Sequence, residues 1–251
     1  MSKAARHRRT LAAIAGGALA LLASVAVAWV VSLGPPSLEA VEARSATIVD
    51  RNGRLLRAYA MDDGRWRLPV KLADVDPAYV DVLLAFEDKR FRDHRGVDPL
   101  AIGRAALQFA TQGRIVSGGS TITMQVARLI EPRRDRSIAT KLRQIVRAIQ
   151  IERVLSKDEI LDLYLALAPF GGNLEGVRSA SMAYFGKEPR RLSLAESALL
   201  AALPQSPETR RLDRHPAAAR IARDRVLSRL AESGRVSAED AAHAAAESVP
   251  R

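Results

Sequence analysis

Val82-Leu-Leu-Ala-Phe-Glu87-Asp88-Lys-Arg-Phe91-Arg-Asp-His94-Arg-Gly96 passes from an apolar run directly into a charged one. The apolar residues fit the buried face of a helix, and Glu87 falls where that helix meets a polar loop. A carboxylate at such an edge loses part of its hydration. Its pKa rises, which suits it to accept a proton near neutral pH. Taken alone, the same pattern also describes a solvated, salt-bridged helix end, and a single His94 is more simply a structural hydrogen bonder.

Helix signals surround this segment. Asp76-Pro77 and Asp98-Pro99 each join an N-cap residue to proline at the first helical position. Ser156-x-x-Glu159, Ser193-x-x-Glu196 and Ser237-x-x-Asp240 have the capping-box spacing. Apolar residues recur at helical intervals in Ile138, Leu142, Ile145 and Ile149. Before them, Ala46 to Asp50 and Arg51 to Arg57 read as a β-hairpin, with Asn52-Gly53 supplying positive φ at the turn. The expectation is a mainly α domain over 45–215 with a small β-hairpin near its start. An Ala- and Arg-rich tail over 216–251 is expected to form two more helices.

The chain has 251 residues, 48% apolar and 27% charged, enough to bury a core and unlike a disordered or collagen-like composition. It has no cysteine, which excludes disulfides, cysteine-ligated metals and a thiol nucleophile. The four histidines are too scattered for a histidine-based metal site. Lys and Arg total 39 against 28 acids, a net charge of +11 that calls for an anionic partner.

Location narrows that partner. A basic tail over 1–10 precedes 24 uncharged residues, 11–34, that are long enough to span a bilayer. A cleaved signal peptide is the alternative, since Ala26 and Ala28 allow an A-x-A site. Its apolar region is ordinarily ~7–15 residues, shorter than this one. The basic flank keeps the N-terminus inside, so the chain is expected to be a single-pass protein of the cytoplasmic (inner) membrane. The linker 35–44 and all that follows then lie outside. Nucleic acid is on the wrong side of that membrane, and a phosphorylated lipid becomes the expected ligand.

Ser117-Gly-Gly-Ser120-Thr121-Ile-Thr-Met-Gln125-Val-Ala-Arg128 reads as a helix start with free N–H groups, an anion site. It lacks the spacing of a Walker A motif and alone is only a glycine-rich turn. Nine basic residues and three acids then lie between Arg128 and Lys157. Such a run is usually a solvated helix face. Placed directly after an anion site, it also fits a diphosphate, whose oxygens arginine grips bidentately.

In this order the segments resemble the motifs of the peptidoglycan glycosyltransferases, glycosyltransferase family 51. The motif E-D-x-x-F-x-x-H-x-G matches Glu87, Asp88, Phe91, His94 and Gly96, and G-G-S-T-I-T-x-Q matches Gly118 to Gln125. Arg128 and Arg136 stand at basic positions of the family, and R-K-x-x-E matches in part at Lys141. Lys157-x-x-Ile-Leu-x-x-Tyr-Leu and Ala183-Tyr-Phe-Gly-Lys187 match later motifs, so the similarity covers about 45–230. Three positions depart from it. Gln144 stands where most of the family has a second catalytic Glu, Thr140 replaces the Arg before Lys141, and Ala166 replaces the Asn of Y-L-N. Glutamine at the first of these also occurs in the penicillin-binding protein 1C subgroup, which the chain resembles at Ala168-Pro-Phe-Gly-Gly172 as well.

The resemblance implies a lysozyme-like fold and inverting polymerisation of lipid II into glycan strands. Glu87 would be the base and Gln144 a second-site position. Asp88, Phe91, His94, Gly96, Ser120, Thr121, Gln125, Arg128, Arg136 and Lys141 would bind substrate. It implies no required cofactor, although a divalent cation (Mg or Mn) can ride on the substrate diphosphate. Partners would be lipid II, the growing glycan strand, the membrane and other cell-wall synthesis proteins. A lytic muramidase and a non-catalytic lipid II-binding scaffold are the rival readings. No Ser-x-x-Lys nucleophile of a transpeptidase occurs, so the chain is expected to be monofunctional or cut short after its first domain.

Overall fold

The uncharged run forms one helix, α1 (Lys3–Ser32), in a computed structural model that describes residues 3–112, 119–133, 135 and 137–250. Of it, the 20 residues Ala13–Ser32 are long and apolar enough to cross a membrane, and none of that stretch is buried in protein. The helix stops just before Gly34, which takes φ +63°, and two prolines. The first structural unit is Met1–Pro36 and the second Ser37–Arg251.

The second unit starts with a single helical turn, α2 (Glu39–Glu42). The expected hairpin follows as β1 (Thr47–Val49) and β2 (Leu55–Ala58), antiparallel, with Gly53 at φ +78°. A second small sheet is not signalled in the sequence. It joins β3 (Trp66–Arg67), β4 (Pro169–Gly171) and β5 (Leu174–Glu175) in the order β3-β5-β4, with β3 parallel to β5. The buried Arg67 fixes this pairing by donating to Glu175 Oε2 through Nε (2.9 Å) and Nη2 (2.6 Å).

Five helices begin at caps expected from the sequence, at Asp76, Asp98, Ser156, Ser193 and Ser237, and two at caps not expected, Thr121 and Ser137. Asp76 accepts from Ala78 N and opens α3 (Pro77–Glu87), and Asp98 accepts from Ala101 N and opens α4 (Pro99–Gln112). Thr121 caps α5 (Ile122–Ile130) and Ser137 caps α6 (Ile138–Val154). The capping boxes at Ser156 and Ser193 start α7 (Lys157–Leu167) and α9 (Leu194–Ala202). Between those two, α8 (Val177–Phe185) begins after Gly176. A 3-10 turn, Leu203–Gln205, continues α9.

The last two helices are α10 (Pro216–Glu232) and α11 (Ala238–Ala246), as expected for 216–251. They are not a separate appendage. α10 packs on α9 and α3, and Val226, Leu227 and Leu230 lie in the same core as Leu83, Leu199 and Leu200. Each such side chain contributes about 1.5–3 kcal/mol by burial. The change at 215 is thus a change of element and not a domain boundary. Buried Arg223 ties the end together by donating to the carbonyls of Ala245 and Glu247, both at 2.7 Å. On the other side of the core α5 packs against α6 and α7, and the Ile122 N–H at its start donates to Asp88, which joins the two motif-bearing segments.

Candidate active site

Glu87 is the last residue of α3, whose buried face carries Tyr79, Val80, Val82, Leu83 and Ala85. Asp88, at φ −157°, ends the helix, so the Glu87 side chain stands at the rim of the core. Its Oε2 accepts from Gln125 Nε2 at 2.8 Å and its Oε1 from Gln205 Nε2 at 2.7 Å. Burial pushes its pKa above the usual carboxylate value. The two amides and Arg128 oppose that rise, and Asp88 adds to it. The result is a carboxylate aimed by two neutral donors and more basic than an exposed one.

Asp88 serves the framework. Its carboxylate meets His94 Nε2 at 3.0 Å through both oxygens, and Oδ2 accepts the backbone N–H of Ile122 at 3.0 Å. Phe91, only 1% exposed, lies in the core, with Lys157 Nζ 4.4 Å above its ring. That ammonium also donates to the His94 carbonyl and to Glu152 Oε1, both at 2.6 Å. Gly96 takes φ +86° against α6, where a Cβ would lie 2.6 Å from the Ala148 carbonyl oxygen. The Gly96 carbonyl accepts from Thr121 Oγ1 at 2.6 Å. Asp88, Phe91, His94 and Gly96, expected at the substrate, are therefore buried residues that fasten the Glu87 loop to α5, α6 and α7.

Some of the residues expected at an anion site lie together. Lys141 Nζ donates to Ser120 Oγ at 2.8 Å, beside the Thr121-capped start of α5. Arg128, exposed in the last turn of α5, lies close enough for its charge to act on both Glu87 and Lys141. Burial first, and then Arg128, draw the Lys141 pKa down. Among the described residues Arg128 has no acidic partner. Arg143 and Arg147 are neutralised by Glu131, at 2.9 and 2.7 Å, and Lys157 by Glu152. The described part of the cationic run thus divides into internal ion pairs, the exposed Arg133 and Arg153, and a Lys141–Arg128 face. Arg136 and Gly118 lie outside the described residues.

Gln144 is partly buried on α6, with Lys141 one turn before it and Ala148 one turn after. This stripe touches Ser120 at one end and Gly96 at the other. Ala166 meets the chain through its backbone: a Cβ on Gly176 would lie 2.7 Å from its carbonyl oxygen. Two residues of the site, Gln205 and Tyr79, carry no sequence signal, whereas Tyr164 belongs to the Lys157–Leu165 motif. Among the described residues the phenols of Tyr79 and Tyr164 are buried without hydrogen-bond partners and feel the Glu87 charge.

No cluster of three His, Asp or Glu side chains able to hold a metal occurs among the described residues. A cleft of about 520 Å³ opens elsewhere, between the hairpin turn and the end of α8. Its cations are all paired: Arg54 with Asp50, Arg178 with Glu188, Lys187 with Glu196 and Arg190 with Asp74.

Residues 52–231 match the transglycosylase family. The chain is 50% identical over 187 residues to penicillin-binding protein 1C of Escherichia coli, covering 74% of this chain and 24% of that one. It is 36% identical over 197 residues to penicillin-binding protein 1F of Bacillus subtilis, covering 78% and 27%. The crystal structure of penicillin-binding protein 1A from Haemophilus influenzae aligns with a TM-score of 0.45 and 24% identity, over 82% of this chain and 21% of that one. The chain spans about a quarter of the length of the curated relatives named here. With 52–231 of its 251 residues matched, and with Glu87 and the framework around it built from the matching motifs, this chain belongs to the transglycosylase family.

Proposed function

We propose that this protein is a peptidoglycan glycosyltransferase that polymerises lipid II into glycan strands at the outer face of the cytoplasmic membrane. The observation that carries the reading is Glu87, held by two amides next to the Lys141–Arg128 face. In the reaction the 4-hydroxyl oxygen of the acceptor sugar attacks C1 of the donor sugar from the face opposite the leaving group. Its proton passes to Glu87. The C1–O bond breaks, and undecaprenyl diphosphate leaves with the electron pair as C1 inverts. Lys141 and Arg128, with the N–H groups at the start of α5, oppose the charge that builds on the departing diphosphate. A divalent cation would arrive on that diphosphate, because the described residues of the site form no carboxylate cluster.

The apolar surface fits a lipid-linked substrate. Leu100 and Leu107 of α4 and Ile138 and Leu142 of α6 are exposed on helices joined to the anion site. With α1 as a single-pass anchor and the basic tail inside, these residues would meet the membrane and the polyprenyl chains.

Polymerisation of labelled lipid II by the purified protein tests the reading. Wild type should yield glycan strands, and Glu87→Gln, nearly isosteric but unable to accept the proton, should lose about 10²–10⁴-fold in rate. Wild-type polymerisation by that variant would remove Glu87 from the role. One observation favours the rival scaffold reading: Gln144 is uncharged at the position of a second acid. An inactive wild type rescued by Gln144→Glu would establish it, whereas our reading expects that change to leave activity unchanged or raised.

A further inference from the structure

Glu87 is gripped from a side of the molecule that no motif marks. Gln205 is exposed at the end of the turn that follows α9, yet its amide reaches Glu87 Oε1 at 2.7 Å. Arg210 stands behind it. Its Nη1 donates to the Ala202 carbonyl at 2.6 Å and, over a longer contact, to Gln205 Oε1 at 3.5 Å. Ala202 is the last residue of α9, so the guanidinium is attached to the end of that helix.

A guanidinium offers only donors and a carboxylate only acceptors. A primary amide between them satisfies both in one orientation, oxygen toward Arg210 and NH2 toward Glu87. The guanidinium charge therefore decides which way Gln205 faces. Gln125, reaching the other carboxylate oxygen from α5, has no such cation on its amide among the described hydrogen bonds.

We propose that Gln205, with its amide turned by Arg210, is a positioning residue that fixes the Glu87 carboxylate and keeps it ionised for the reaction. The inference deepens the reading of Glu87 as the base and rests on it. Among the described residues, the charged and titratable groups facing Glu87 come from several elements. Asp88 is adjacent, Tyr79 lies on α3 itself and Tyr164 on α7, Arg128 comes from α5, and Arg210 follows the turn after α9. From α10, Arg225 faces Arg210, and Arg229 stacks on the Phe86 ring at 5.3 Å. Burial drives Glu87 toward its protonated form, and the amides draw it back. Loss of the Gln205 amide should therefore move the Glu87 titration to higher pH.

The test is a ¹³C-detected titration of the Glu87 carboxyl in the full chain, in detergent and without substrate. It compares wild type with Gln205→Met, Arg210→Met, Arg210→Lys and the double Met variant. Gln205→Met and Arg210→Met should both titrate at higher pH, and the double variant should move by less than the sum of the two single shifts. Arg210→Lys, which retains a cation and a donor, should stay close to wild type. The acid limb of kcat/KM for lipid II polymerisation should rise in parallel, a loss of roughly tenfold at the acid end that is largely recovered at alkaline pH. An unchanged Glu87 titration in Gln205→Met would overturn the proposal, as would a uniform loss of rate at every pH. Gln205 is exposed, so its variant decides the matter even where Arg210→Met does not fold. A shifted titration in a protein whose Glu87→Gln variant still polymerises would instead overturn the assignment of the base.

Discussion

The Asp88 carboxylate accepts the backbone N–H of Ile122 at 3.0 Å, so the neighbour of Glu87 is also the side chain that holds the first residue of α5. The same carboxylate meets His94, so one buried group joins the end of α3, the loop after it and the start of α5. Replacing Asp88 by Ala would leave His94 Nε2 and the Ile122 N–H without their acceptor. The expected cost is about 1.5–3 kcal/mol in stability, measured by denaturant unfolding. Activity should fall further than stability explains, because Glu87 and Ser120 lose their common support.

Glu87 carries a stability cost that can be measured without substrate. Its folded-state pKa lies above the unfolded value, so the folded state binds the extra proton in the interval between them. Stability then falls as pH rises through that interval, and the destabilisation is fully present above the folded pKa. Glu87→Gln should therefore melt at a higher temperature than wild type at neutral pH. The difference should vanish as pH drops through the ordinary carboxylate range. A melting temperature that stays below wild type at every pH would contradict the burial argument.

Arg128 should matter more than cations of the same run that face only solvent. Arg128→Ala removes a charge-assisted contact of ~1.5–3 kcal/mol, roughly a tenfold to more than hundredfold loss in kcat/KM. Arg133 and Arg153 are exposed, and their alanine variants should stay close to wild type. Equal small losses at all three positions would reduce the Lys141–Arg128 face to general surface charge.

Two glycines with similar dihedral angles should respond differently to alanine. Gly96 (φ +86°) has backbone of α6 within 2.6 Å of a would-be Cβ, whereas Gly53 (φ +78°) has nothing within 4 Å. Both substitutions cost backbone strain of about 1–3 kcal/mol. Only Gly96→Ala must also displace α6, and only it should lower the melting temperature together with polymerisation.

The sequence makes the helices legible because their starts are local. Asp76, Ser156 and Ser193 each satisfy an N–H within three residues, and the Asn52-Gly53 turn fixes its own hairpin. Glu87, Ser120, Arg128 and Lys141 are legible through motif order, and the fold brings them together. The sheet of β3, β4 and β5 is not legible. Its strands have two or three residues, too few for an alternation to appear, and Arg67 finds Glu175 only through the tertiary fold. The packing of α10 and α11 is masked by alanine, which is neutral in pattern but small enough for close helix contact. Gln205 and Arg210 escape for a different reason. An exposed amide and a half-buried guanidinium on a turn have no pattern until α9 places them against α3.

The parallel pairing of β3 with β5 sets an order of assembly. Arg67 and Glu175 are 108 residues apart, so a chain emerging N-terminus first presents Trp66 and Arg67 long before their partners exist. The hairpin of β1 and β2 can close at once, within about 1–10 μs of its appearance. The segment after it must wait, with an unpaired edge and the guanidinium of Arg67 uncompensated, until Leu174 and Glu175 arrive. At ~5–20 residues per second of synthesis, that interval lasts on the order of five to twenty seconds. Throughout it this edge stays open, and it closes only on a segment made 108 residues later.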